Sequence, residues 1–94
     1  MEKVVLNENI ICEAGCWDMF GIKILLIKAG KGALGCGYIN MAAAEKFNHA
    51  LAIVSGVAGY EDMFAAKVKA VSAAAGKLGV VPGMSGIDAL KKMS

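Results

Sequence analysis

The residues of this chain with the types and spacing to do chemistry are three cysteines, one histidine and three glycine-flanked positions. The sharpest is Gly35-Cys36-Gly37, a thiol framed by residues without side-chain bulk, where a second group can approach closely. As a nucleophile or redox thiol, Cys36 would need a depressed pKa, supplied by a helix N-terminus or a nearby cation. A helix expected to start at Asn40 is one source, and Lys31 or Lys67 is another. The competing account is a small buried hydrophobe, the common fate of a free cysteine. No general base stands near Cys36 in the sequence, which favours binding over catalysis.

The remaining side chains make weaker sites. His49 is the only histidine, and the expected helix of about nine residues between it and Cys36 spans roughly 13 Å. A Cys-His dyad is therefore not expected, and His49 reads as a polar residue at a helix-to-strand corner. Cys12 and Cys16, spaced C-x₃-C, lack the second cysteine pair or histidine pair that completes a zinc motif. No metal and no other cofactor is expected. Glu61 and Asp62 are adjacent on a helix and point apart, so they do not form an acid-base pair.

Two glycine loops open a different class of function. Ser55-Gly56 follows an apolar run, and Ser85-Gly86 opens a short helix; backbone N–H groups at either could hold a polar ligand. Neither matches a P-loop or a dinucleotide-binding fingerprint, and turn chemistry is the plainer explanation of both. The candidate ligand-binding residues are Gly35, Gly37, Ser55, Gly56, Ser85 and Gly86, with Cys36 as the candidate catalytic residue.

The elements that must position these residues follow from pattern. Lys3–Leu6 and Asn9–Glu13 read as short strands around an Asn7-Glu8-Asn9 turn. Ile22–Ala29 is a β-branched strand, reversed at Gly30-Lys31-Gly32 into a returning strand over Ala33–Ile39. Asn40 is expected to cap a helix to about Asn48. Leu51–Val54 is a continuous apolar run, typical of a strand buried on both faces. Tyr60, Phe64, Val68, Val71, Ala75 and Leu78 recur at helical spacing, predicting one long helix from about Tyr60 to Leu78, stopped at Gly79. Pro82-Gly83 is a turn, and Ser85 with Asp88 three residues on starts a last helix to about Met93. The expected fold is a single α+β domain over residues 1–94, a small mixed sheet with an N-terminal β region and helices packed on it.

Composition bounds the partners. Of 94 residues 57% are apolar and the mean hydropathy is +0.59, more hydrocarbon than so short a chain hides in one core. A membrane or a partner subunit must cover the excess. Charges recur at Lys23, Lys28, Lys31, Glu45, Lys46 and Glu61, and the longest uncharged run, Phe47–Tyr60, falls short of the ~20 residues a span needs. Self-association is the expectation. With ten lysines, no arginine and a net charge of +2, nucleic acid is not an expected partner. No signal peptide opens the chain, so a cytoplasmic location with reduced cysteines is expected.

The order and spacing of Gly35-Cys36-Gly37, Ser55-Gly56-Val57 and Gly83-Met84-Ser85-Gly86 resemble the YunC-like family, a prokaryotic domain of unknown function. The resemblance covers roughly residues 24–92. It implies a compact α/β body over 24–94 and an N-terminal β region that joins subunits, expected as a tetramer. Residues 1–23 depart from the family pattern, carrying Cys12, Cys16 and Trp17. The expected function is a homo-oligomeric small-ligand-binding or regulatory module. The alternatives are an enzyme using Cys36 as a thiolate nucleophile and a purely structural oligomer.

Overall fold

Alternating apolar residues in the first third of the chain build a long antiparallel meander. In the computed structural model, which describes residues 2–7 and 10–94, β1 (Glu2–Asn7) pairs with β2 (Ile10–Met19), and β2 with β3 (Ile22–Lys28). Of the expected Asn7-Glu8-Asn9 turn, Glu8 and Asn9 lie outside the described residues. β2 runs six residues beyond the expected Glu13, because β3 pairs with it all the way to Met19 opposite Ile22. Phe20 and Gly21 close this hairpin with positive φ of 54° and 88°, the two-residue turn whose twist suits antiparallel strands. The Gly21 N–H donates to Asp18 Oδ1 at 2.9 Å.

The second half completes a six-stranded sheet of order β1-β2-β3-β4-β5-β6. β4 (Ala33–Gly35) runs antiparallel to β3, β5 (Leu51–Ile53) parallel to β4, and β6 (Ala70–Val71) antiparallel to β5. The parallel pair is joined by α1 (Met41–Lys46), started as expected by Asn40, whose Oδ1 accepts the Ala42 and Ala43 N–H groups at 2.8 and 3.4 Å. The returning strand ends at Gly35 instead of Ile39. There Ile39 N–H donates back to the Cys36 carbonyl at 3.0 Å, folding the chain into a turn.

Period-two alternation sorts the side chains onto two faces. Cys12 and Ala14 of β2, Leu25 and Ile27 of β3, Leu34 of β4 and Ala52 of β5 form the main core. Against them pack Met63 of α2 (Tyr60–Ala65), Ala75 of α3 (Ala73–Lys77), and Ala89 and Leu90 of α4 (Gly86–Lys92). On the other face a smaller cluster sets Ala44 of α1 against Leu51 and Ile53. No described helix is long and apolar enough to cross a membrane.

The long helix expected from Tyr60 to Leu78 is instead two short helices with a strand between them. α2 ends at Ala65, and Ala66 is extended with ψ 150°. Val68 N–H then donates to the Met84 carbonyl and Lys69 N–H to the Ile53 carbonyl, each at 2.8 Å, before β6 pairs with β5. Two forces override the helical spacing. The far edge of β5 needs hydrogen-bond partners, and Val68 and Val71 are β-branched residues that favour extended chain. Ser72 fixes the restart: its Oγ accepts the Ala75 N–H at 3.2 Å as the cap of α3 and the Leu51 N–H at 2.9 Å. The same hydroxyl donates to the His49 carbonyl at 2.8 Å. The helix stop at Gly79, at φ +97°, and the Ser85 cap on the Asp88 N–H, at 3.3 Å, agree with expectation.

Candidate functional site

The carboxyl ends of β4 and β5 bring two sequence-distant loops side by side. Because the strands are parallel, Gly35 stands opposite Ile53, and both chains leave the sheet at the same edge. The Val54 N–H donates to the Gly35 carbonyl at 3.0 Å, carrying the pairing one residue past the strands. Beyond it, a Cβ on Gly37 would lie 3.7 Å from Ser55 Cβ, so the two loops touch. Gly37 and Gly56 are exposed, Ser55 is half-buried, and Gly56 turns the chain at φ +72°. Cys36, Gly37, Ser55 and Gly56 therefore share one edge.

Cys36 sits beneath that edge, clamped on three sides. It is 5% exposed. Its N–H donates to the Leu25 carbonyl at 3.0 Å, its carbonyl accepts Ile39 N–H, and its Sγ accepts Leu25 N–H at 3.4 Å. The sulfur thus takes the place of a backbone acceptor at the point where the β3–β4 ladder ends. Gly35 permits the turn above it, because a Cβ there would come within 2.8 Å of Ile39 Cγ1. A substrate reaching for Sγ from the Gly37 side would meet a buried atom.

The other candidates separate. Gly86 N–H donates to the Ala66 carbonyl at 2.8 Å, and a Cβ on Gly86 would collide with the Met63 carbonyl oxygen. Ser85 caps α4 and lies in a bridge with Lys67. This pair locks α4 to the end of α2, a duty that explains both residues through packing. Lys31 stands in the β3–β4 reversal, at the far end of β4 from Cys36, with its N–H on the Met93 carbonyl. His49 is also at the amino end, just before β5, so no Cys36–His49 pair exists.

The remaining cysteines have distinct surroundings. Cys12 is buried on the core face of β2, and burial pushes its thiol pKa up. Cys16 is exposed near Tyr60, whose hydroxyl pKa is raised first by burial and then by the negative potential of Glu2 and Cys16. Among the described residues no group of three or more His, Cys, Asp or Glu side chains is placed to hold a metal ion.

Sequence reasoning missed a depression of about 450 Å³ at the amino ends of β4 and β5, between the Gly30-Lys31-Gly32 reversal and the Asn48–Ala50 loop. Its only signal was the pair of glycines around Lys31, which reads as a tight turn and nothing more.

Comparison with known proteins places this architecture. A crystal structure of a protein of unknown function from Thermoplasma acidophilum has the same fold, with a TM-score of 0.92 and 29% identity over 99% of this chain and 90% of that one. No curated protein matches the chain. Residues 35–93, which hold the Cys36 turn, the Ser55 loop and the Ser85 cap, match the model of the domain of unknown function DUF1805. The chain belongs to this YunC-like family.

Proposed function

We propose that the protein is a homo-oligomeric small-ligand-binding or regulatory module whose site is the carboxyl edge of β4 and β5. The observation that carries this reading is the meeting of Gly37 with Ser55 at the end of the sheet's one described parallel pair. In sheets with parallel strands, ligands gather at such edges because loops there are free to vary while the strands hold them rigid. The Ser55 hydroxyl and the exposed backbone of Gly37 and Gly56 supply polar contacts, and the buried Cys36 supplies a floor. Binding fits this arrangement better than catalysis, since the thiol is covered and among the described residues no side-chain base is hydrogen-bonded to it.

The oligomer is supported by a bare sheet face. On β1–β3, opposite the main core, Val5, Ile11, Trp17, Met19 and Ile22 are each exposed by 41% or more. With Phe20 at the hairpin tip they present on the order of 800 Å² of side chain, what one partner gives to a standard interface. A second copy of this chain carries the matching face and covers it isologously. Three free thiols fit a reducing, cytoplasmic setting.

A thermal-shift screen of small polar metabolites on wild type, Cys36→Ser and Gly37→Val tests the site. Expected is a compound that raises the midpoint of wild type and not of Gly37→Val, with Cys36→Ser retaining most of the effect. A compound lost on Cys36→Ser, together with alkylation of Cys36 in the native protein, would instead favour the thiolate enzyme, for which the Leu25 N–H on Sγ is the supporting contact. Hits that ignore both variants would contradict the site.

A further inference from the structure

The depression at the opposite, amino end of the same two strands has a chemical character that the carboxyl edge lacks. Its floor is Leu26, Ala29, Ala33 and Ala50, and its rim carries Lys28, Lys31, Asn48 and His49. Every charged side chain lining it is a lysine. Its volume of about 450 Å³ falls in the range of small-molecule sites. A second depression of about 230 Å³ shares Ala33, His49 and Ala50 with it and runs on beneath α1, past Ile39, Ala43, Phe47 and Leu51. A cationic mouth therefore opens onto a narrow apolar groove.

The walls are held in place by backbone contacts. Ala29 N–H donates to the Gly32 carbonyl at 2.7 Å, Lys31 N–H to the Met93 carbonyl at 2.6 Å, and Ala33 N–H to the Ala50 carbonyl at 3.0 Å. A Cβ on Gly32 would lie 2.8 Å from Ala50 Cβ and 2.9 Å from the Ala50 oxygen, so the two loops approach as closely as they do because residue 32 is glycine. On the far side His49 N–H donates to the Ala44 carbonyl at 2.8 Å, and its ring lies 6.0 Å from that of Phe47. The site is preformed.

We propose that this pair of depressions binds a medium-chain aliphatic carboxylate, with its head at Lys28, Lys31 and His49 and its chain along Ala33, Ala50 and Leu51. Two separate ammonium groups without an arginine fork suit a single carboxylate better than a phosphate held in two-point fashion. A narrow groove walled mainly by alanines, with Ile39, Phe47 and Leu51, suits a slim, unbranched chain. Acidic side chains nearby are Glu13, which stands across from Lys28 on β2, and Glu45, whose Oε1 accepts the Ala73 N–H at 3.0 Å. Glu13 moderates Lys28, and the carboxyl carbon of Ser94, 3.3 Å from where a Cβ on Gly30 would stand, lies beside Lys31, so the head is held by Lys28, Lys31 and His49 together.

Octanoate titrated into the full chain, followed by amide NMR, tests the proposal, with acetate and octanol as controls for the charge and the chain. Octanoate should shift the amides of Gly30–Ala33 and His49–Leu51 with a sub-millimolar Kd, and each control should bind at least about tenfold more weakly. The Lys28→Ala/Lys31→Ala double variant should weaken octanoate about tenfold. So should Ala43→Trp, a change at an exposed helix position that fills the groove. Equal binding of octanol would reduce the site to apolar adsorption, and equal binding of acetate to an adventitious anion site; either overturns the proposal. Shifts confined to Trp17–Ile22 would place the ligand on the bare sheet face and overturn it too. Shifts at Cys36–Tyr38 instead of Gly30–Ala33 would refute this site while leaving the carboxyl edge in play.

Discussion

The two halves of the sheet treat their apolar residues in opposite ways. Around β4–β6 both faces are covered, with α1 on one side and α2, α3 and α4 on the other, and Leu51, Ala52 and Ile53 of β5 are all buried. Around β1–β3 only one face is covered, and Trp17 and Ile22 on the other are more than half exposed. Conformational cost falls on different residue types. Each half holds one non-glycine residue at positive φ, Asn48 at 59° in the covered half and Phe20 at 54° in the bare hairpin; asparagine tolerates that region, whereas Phe20 is bulky and 98% exposed. A bulky residue in the left-handed region costs about 1–2 kcal/mol, and the Phe20 side chain packs in neither described core cluster to offset it. The covered half is shaped by its own fold, and the bare half is where the proposed second copy would meet it.

The largest expected effect breaks the covered half without touching the other. Gly86→Ala would normally favour a helix by up to about 1 kcal/mol. Here the added methyl strikes the Met63 carbonyl and comes within 2.9 Å of Leu34 Cδ2, so α4 must move off α2 and β4. Chemical denaturation should show a loss of about 3 kcal/mol or more. A stabilised variant would mean that α4 does not seat as described.

The reverse experiment acts on the bare half. Trp17→Glu combined with Phe20→Asp should abolish assembly while the circular dichroism of the fold survives, since neither side chain belongs to the core. Trp17 lies over Gly15, where a Cβ would meet its Cζ3 at 2.8 Å, so some local fraying of β2 is expected as well. Retained assembly would assign the interface elsewhere.

Alkaline pH separates the halves more gently. Cys12 is pushed above its ordinary 9.0 by burial, and Tyr60 above 10.0 by burial and then by Glu2 and Cys16. Both neutral forms are favoured by folding, so their contribution is fully present below pH 9 and is lost as pH rises through the folded pKa values. Stability should be level from neutrality to about pH 8.5 and decline above 9. Cys12→Ala should flatten part of that decline, at the cost of a small cavity at neutral pH. An undiminished slope would remove Cys12 from the account.

The smallest effect is also the sharpest. Phe20→Gly relieves the left-handed strain and should stabilise the isolated chain by about 1 kcal/mol while weakening self-association. A change in one property without the other would show that the strained phenylalanine is not kept for contact.

Much of the covered half was legible because its signals are local. Asn40 and Ser85 each cap a helix through an N–H two or three residues ahead, and Leu51–Ile53 announces burial by its unbroken apolar run. The nearness of the Gly37 and Ser55 loops follows from parallel strands leaving the sheet together. What failed was the stretch from Tyr60 to Leu78, where the apolar spacing is helical but Lys69 is claimed by the β5 edge. Ser72 was the overlooked sign: a serine that reads as helix interior is here a buried hub joining Leu51, His49 and Ala75. The lysine-rimmed depression was invisible for another reason. Its walls come from residues 26–33 and 48–50, and only the β3–β4 and β4–β5 pairings bring them together.

The mass of the wild-type protein in solution tests the contrast between the halves most directly. Light scattering at micromolar concentration should give a whole-number multiple of the 9.7 kDa chain, two copies from the isologous pairing alone or the four that the family resemblance implies if pairs assemble further through the same region, and the Trp17→Glu/Phe20→Asp variant should give 9.7 kDa. A wild type that runs as a clean 9.7 kDa monomer would contradict the account, because the bare face of β1–β3 would then have no partner of its own kind.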